Sequence, residues 1–182
     1  INQTWSTWGD SLWFNEPNIT HDGIEAAQSG AMLDNRQAWL GTIATGPGRL
    51  SFWWKVSSEP DYDFLEFYIN GWLQNRISGQ VDWQQIVCNV PPGTNTLYWR
   101  YAKDENTANG LDAGWVDEVV LTPGVWLEPV GSPVNGLAQL LLHGIPGRQY
   151  EVQVSSNLLN WTQLILLTPN NSSTPVFDFN AN

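Results

Sequence analysis

Cysteine is nearly missing from this chain. The single Cys88 excludes an internal disulfide, and in the strand-like run 84–90 it reads as a small buried hydrophobe rather than a reactive thiol. Positive charge is scarce as well. Seven basic against eighteen acidic residues give a net charge of −11, which repels phosphate backbones and anionic lipid and argues against nucleic acid or membrane-surface partners. No apolar run approaches the roughly 18 residues of a helical membrane span. The two histidines, His21 and His143, are isolated in sequence, and no GxSxG, HExxH or phosphate-loop pattern occurs. These gaps argue against an enzyme. Ile1 in place of Met reads as the start of a processed or excised piece of something longer.

Tryptophan is abundant: twelve in 182 residues, with Asn, Gln, Ser, Thr and Gly frequent and charged residues only 14%. Polarity without charge fits a secreted, β-rich protein. The clearest pattern lies in residues 50–71. Leu50, Phe52, Trp54 and Val56 share one strand face, and after Pro60, Leu65, Phe67 and Ile69 repeat the same two-residue period. They are expected to be neighbouring strands joined by an acidic connection, Glu59, Asp61 and Asp63. A strand is expected over 36–45, with Ala38, Leu40 and Ile43 facing in, and turns at Gly46-Pro47-Gly48 and Pro91-Pro92-Gly93. Further strands are expected over 72–77, 83–90, 96–102 and 115–121. Ile24 to Gln28 has the spacing of a short helix confined by Gly23 and Gly30.

Turn signals about every ten residues with no long helix predict an all-β sandwich. The texture changes after Thr122-Pro123-Gly124, so two domains are expected, 1–123 and 124–182. The second shows Leu- and Val-rich runs at 137–142, 150–154 and 164–167, with Gly144-Ile145-Pro146-Gly147 as a hairpin-type turn between the first two. A last aromatic run covers 176–179. Three and a half strands are too few to close a sandwich comfortably, which leaves an open edge.

Several stretches resemble a bacterial extracellular jelly-roll domain related to MAM and cleaved-adhesin modules: residues 46–71, 77–85, 91–121 and, more loosely, Ala26-Ala27-Gln28-Ser29-Gly30. GIPGRQYEVQVSSNLLNWTQL, residues 144–164, resembles a small fibronectin-like module. The first resemblance implies a structural calcium between an early acidic loop and the Asp before the last strand. The matching positions are Asp63 and Asp117, with Asp112 and Asp10 as additional ligands. Calcium takes six to eight oxygens, which loop carboxylates and carbonyls supply. The alternative is that Asp63 and Asp117 cap turns by accepting backbone N–H groups.

The resemblance implies a non-catalytic adhesion or structural module, secreted or on the cell surface, whose partners are other surface proteins or further copies of itself. The open edge extends this to a head-to-tail fibre in which residues 1–5 of a neighbouring copy supply the missing strand. The rival reading is a carbohydrate-binding module, with Trp53, Trp72, Trp83 and Tyr98 as solvent-facing rings against glycans. Sequons at Asn2, Asn18, Asn160, Asn170 and Asn171 keep surface glycosylation open. Glu59, Asp61, Asp63 and Glu66 are raw material for glycoside hydrolysis, but no spacing selects an acid and a nucleophile.

Overall fold

A computed structural model describes residues 4–132 and 134–179. Every regular element in it is a strand. The chain divides into two compact units, Ile1–Thr122 and Pro123–Asn182.

The first unit is all-β and jelly-roll-like. Its strands are β1 (Ser6–Gly9), β2 (Phe14–Glu16), β3 (Ala26–Gln28), β4 (Gln37–Ser57), β5 (Phe64–Ile69), β6 (Trp72–Ser78), β7 (Gln80–Ala102) and β8 (Ala113–Pro123). Their order is β2-β3-β8-β4-β7-β5-β6, with β1 also on β4. Two strands do most of the construction. β4 and β7 run antiparallel for their whole length, and both kink where Gly46 faces Gly93 and Gly48 faces Val90. The Gly46-Pro47 peptide is cis. Before the kink β4 pairs with β1 and with the end of β7, which carries β5 and β6; beyond it β4 pairs with the start of β7. One ribbon therefore serves two layers. Gly46-Pro47-Gly48 and Pro91-Pro92-Gly93 are not the chain-reversing turns that their composition predicts. They are matched bends inside continuous strands.

That geometry corrects the expected neighbours as well. β5 pairs with β6 and β7, not with β4. The 58–63 connection instead carries the chain across the core, where the Phe52 and Phe67 rings meet edge-on at 4.8 Å. The apolar periods hold: Leu50, Phe52, Trp54, Val56, Leu65, Phe67, Leu97, Trp99 and Tyr101 are all buried. Ile43 does not follow. Ala38, Leu40, Thr42 and Ala44 set the inward parity, so Ile43 points outward and is exposed. Thr42 tolerates burial because its hydroxyl donates to the carbonyl of Thr4 at 3.0 Å.

The helix expected at Ile24–Gln28 is absent. Asp22 accepts the Ile24 N–H, the Thr20 hydroxyl accepts that of Gly23, and Ala27 pairs with Val116 as part of β3. The sheet ladder outcompetes a helix too short to stand alone.

The second unit holds β9 (Trp126–Pro129), β10 (Ala138–His143), β11 (Tyr150–Val154), β12 (Thr162–Leu167) and β13 (Ser173–Asp178). β13-β10-β9 form one sheet and β11-β12 a hairpin, over a small core of Leu142, Val152 and Val176. Gly144-Ile145-Pro146-Gly147 is thus a crossing between sheets, since β10 and β11 do not pair. β9 supplies one strand more than the sequence pattern shows. Of the segment expected to act as a donor strand, residues 1–3 lie outside the described residues; Trp5 leans on Trp99 of its own unit, with ring centroids 5.8 Å apart.

The Phe52 ring touches Trp54, Phe67 and Trp99. Phe52→Ala is expected to cost about 3–5 kcal/mol in chemical denaturation followed by far-UV circular dichroism, while Ile43→Ser stays within about 0.5 kcal/mol. Equal losses for the two would sink the assigned facing of β4.

Candidate binding face and acidic cluster

The outward side of the β1-β4-β7-β5-β6 layer carries side chains in register. Trp8 faces Trp39, Trp39 faces Arg100, Arg100 faces Glu66, and Glu66 faces Arg76. The next row is Ser6, Gly41, Tyr98 and Tyr68. The Trp8 and Trp39 planes are 4° from parallel at 5.9 Å, and Tyr98 stands edge-on to Trp8 at 5.2 Å. Arg100 lies 5.3 Å from the Trp39 ring and 5.8 Å from that of Tyr68. Gly41 makes this packing feasible: a Cβ there would stand 2.7 Å from Tyr98 Cδ1 and 2.8 Å from Trp8 Cη2. The rings lie over bare backbone.

Polar groups tie the row down. Arg100 Nε donates to Glu66 Oε2 at 2.6 Å and its Nη1 to Gln37 Oε1 at 3.2 Å, while the Tyr68 hydroxyl donates to the same Glu66 oxygen at 2.6 Å. Burial, then the hydrogen bond to Glu66, push the Tyr68 phenol up to about 12, so it stays protonated at any physiological pH. Among the described residues this is a fixed surface with aromatic faces, hydroxyls and a neutralised guanidinium.

The aromatic residues picked from the sequence fall in three places. Tyr98 belongs to this face. Trp72 stands on β6, 77% exposed, where the chain turns out of β5. Trp53 and Trp83 lie beyond the kink around His21, whose ring stacks on Trp53 at 3.7 Å and meets Trp83 edge-on at 5.9 Å. His21 also pairs with Glu118. The other histidine is equally engaged: His143 stacks on Trp126 at 4.1 Å, and its ring nitrogens meet Glu128 at 2.7 Å and Ser173 at 3.0 Å. Sequence separations of 15 and 30 residues hide these partners, which the sheet brings together.

The acidic residues divide similarly. Glu59, Asp63 and Asp104 place one carboxylate oxygen each within 4.8 Å of one another. Asp63 is fully buried; its Oδ1 accepts the Asp104 N–H at 2.9 Å, while its Oδ2 and Glu59 Oε2 are buried without a hydrogen-bond partner. Two carboxylate oxygens without a hydrogen-bond partner, beside a third carboxylate, form a group that could hold a metal ion. Asp112 stands next to this cluster, accepting from the Tyr101 hydroxyl at 2.9 Å and pairing with Lys103, which also holds Asp34 at 2.8 Å. Burial works against the Lys103 ammonium, but these two carboxylates outweigh it and raise its pKa. Asp117 accepts the backbone N–H groups of His21 at 2.7 Å and Glu118 at 2.6 Å. Asp10 pairs with Arg36 at 3.0 Å and accepts the Gln37 N–H at 2.9 Å. Asp104 escaped the sequence reading because 41 residues separate it from Asp63. Of the sequons, Asn18, Asn160, Asn170 and Asn171 are exposed, and Asn2 lies outside the described residues.

No protein-family model matches the chain, and no curated protein does. Solved structures do resemble it. The secreted serine protease VesC from Vibrio cholerae matches over 54% of this chain and 21% of its own, with TM-score 0.50 and 16% identity. The chain thus spans about a fifth of that protease. The K2 cleaved adhesin domain of Lys-gingipain matches over 66% and 89%, with TM-score 0.48 and 15% identity. TmCBM61, solved with β-1,4-galactotriose, matches over 66% and 88%, with TM-score 0.44 and 17% identity. At 16% identity the likeness to VesC is one of fold alone.

Desolvation dominates Asp63 and, against the Asp104 hydrogen bond, holds its pKa above the ordinary 3.8. A raised acid destabilises the fold once ionised, so its cost is absent below 3.8 and grows as pH rises through the folded value. Asp63→Asn keeps an acceptor for the Asp104 N–H and removes that cost. In chelator-treated buffer the variant is expected to gain on the parent in thermal melts as pH rises from 4 toward neutrality; parallel pH profiles would refute this.

Proposed function

We propose that this chain is a non-catalytic, extracellular binding module that recognises carbohydrate on the outward face of the β1-β4-β7-β5-β6 layer. The observation that carries the reading is the row Trp8–Trp39–Arg100–Glu66. It joins two near-parallel indole planes to a guanidinium and a carboxylate on rigid, paired strands. Sugar rings present apolar C–H faces and equatorial hydroxyls together, and a surface that offers aromatic faces beside fixed donors and acceptors complements both. A contact surface of this kind serves adhesion to glycans as readily as the targeting of an attached domain.

The acidic cluster has a supporting role: Glu59, Asp63 and Asp104 hold a structural calcium that pins the 58–63 connection to the loop after β7. A cation bound at a hundred times its dissociation constant stabilises by about 2.7 kcal/mol. Added calcium is therefore expected to raise the melting temperature of the parent and leave Asp63→Asn unmoved.

Binding is tested by affinity electrophoresis and tryptophan fluorescence against neutral polysaccharides, among them β-galactan, β-glucan and xylan. Trp39→Ala is expected to weaken binding at least tenfold with the melting temperature nearly unchanged, whereas Trp72→Ala leaves binding intact. Failure of every polysaccharide to bind, or loss through Trp72 instead, would overturn the assignment.

A further inference from the structure

A cleft on a different part of the first unit is independent of the glycan reading. Between β1 on one layer and β2, β3 and β8 on the other opens this cleft of about 620 Å³, the size of ordinary ligand sites. Its lining is more apolar than polar, with Trp5, Trp13 and Phe14 beside Ser6, Thr7 and Asn15. Its charge has one sign: Glu25, Asp117 and Glu118 line it, and no Lys, Arg or His does among the described residues.

Glu118 adds a third feature. Its φ is 49°, a left-handed conformation uncommon for a non-glycine residue and held here inside β8. The Asp117 carboxylate accepts its N–H, and its own carboxylate is drawn to His21. Backbone strain of this sort persists where the surroundings over-determine it, and functional sites are where it clusters.

The shape argues for a chain segment over a small molecule. Among the described residues β2 ends its layer and β1 pairs with β4 off the main path, so the cleft is flanked by short strands at the limits of both layers. An extended peptide can add to such an edge through its main chain while its side chains enter the gap. We propose that this cleft docks an extended, apolar, lysine-bearing peptide segment of a partner protein. Apolar side chains meet Trp5 and Phe14, and a lysine ammonium meets Glu25 at the exposed rim. A cationic ligand is also the partner that a chain of net charge −11 attracts over distance.

The test uses the whole chain and three probes: the peptide acetyl-Val-Lys-Leu-Lys-Val-amide, its counterpart with both lysines replaced by glutamate, and hexylamine. Binding is followed by nuclear magnetic resonance, reading the Trp5 indole and the amides of residues 14–16 and 25–27. The lysine peptide is expected to shift these signals saturably, and the glutamate peptide to leave them unmoved. Glu25→Lys, an exposed substitution whose fold is checked by its melting temperature, is expected to weaken binding at least tenfold. Equal binding of the glutamate peptide, indifference to Glu25→Lys, or shifts confined to other residues would overturn the proposal. Hexylamine binding as tightly as the peptide would overturn it too, since a segment would then be unnecessary.

Discussion

The crossing of β4 and β7 at Gly46 and Gly93 is the constraint on which the first unit depends. A Cβ on Gly46 would stand 2.0 Å from the carbonyl oxygen of Pro91, and Gly93 occupies φ 89°. At Gly46 a side chain would force the backbone to move, while at Gly93 it would meet open space but a φ that side-chain-bearing residues rarely adopt. Because both long strands bend together, their hydrogen-bond ladder passes from one layer to the next with a single register shift there. Side-chain parity along β4 is carried through the bend unchanged. Ala38, Leu40, Thr42 and Ala44 face the core before the bend, and Leu50, Phe52, Trp54 and Val56 face it after, all at even positions. The outward row at Trp39 and the edge-on cluster of Phe52, Phe67 and Trp99 are two sides of one register.

That register also explains what the amino-acid sequence discloses and what it hides. Strict alternation exposes a buried strand face, and residues 50–56, 65–69 and 97–101 announce theirs plainly. Ile43 misleads because an apolar side chain at an odd position looks like core, while the residue that sits inside, Thr42, satisfies its hydroxyl through a carbonyl 38 positions away. Glycine and proline at 46–48 and 91–93 carry a turn signal, and composition alone does not distinguish a chain reversal from a bend within a paired strand. The difference lies in what sits opposite, and each bend sits opposite the other.

The groups of the candidate sites are non-local in the same way. Asp63 was legible as an acidic residue at the head of a strand, but Asp104 joins it only because β5 and β7 are partners. Trp39 alternates with Ala38 and Leu40, so its outward direction was readable. Its significance was not, since Trp8, Tyr98 and Tyr68 arrive from three other strands. Gly41 was the subtle clue: a glycine within an otherwise regular strand marks a close approach, here of two rings over the backbone.

On the proposed glycan reading, charge narrows what the aromatic face would accept. Arg100 is held by Glu66, so the guanidinium contributes direction and hydrogen-bond donors more than net positive potential. The Tyr68 phenol remains protonated and committed to that same carboxylate. With the whole chain at −11, an anionic glycan would approach against a repulsive field with no uncompensated cation at the centre of the row to offset it. A neutral sugar would meet no such penalty: it would bring C–H faces to Trp8 and Trp39 and hydroxyls to groups whose orientation is already fixed. Little side-chain entropy remains to be lost on contact, because strand pairing and the Glu66 hydrogen bonds have removed it beforehand. The selectivity expected of this surface therefore follows from preorganisation and from the sign of the surrounding field, and neutral polysaccharides satisfy both.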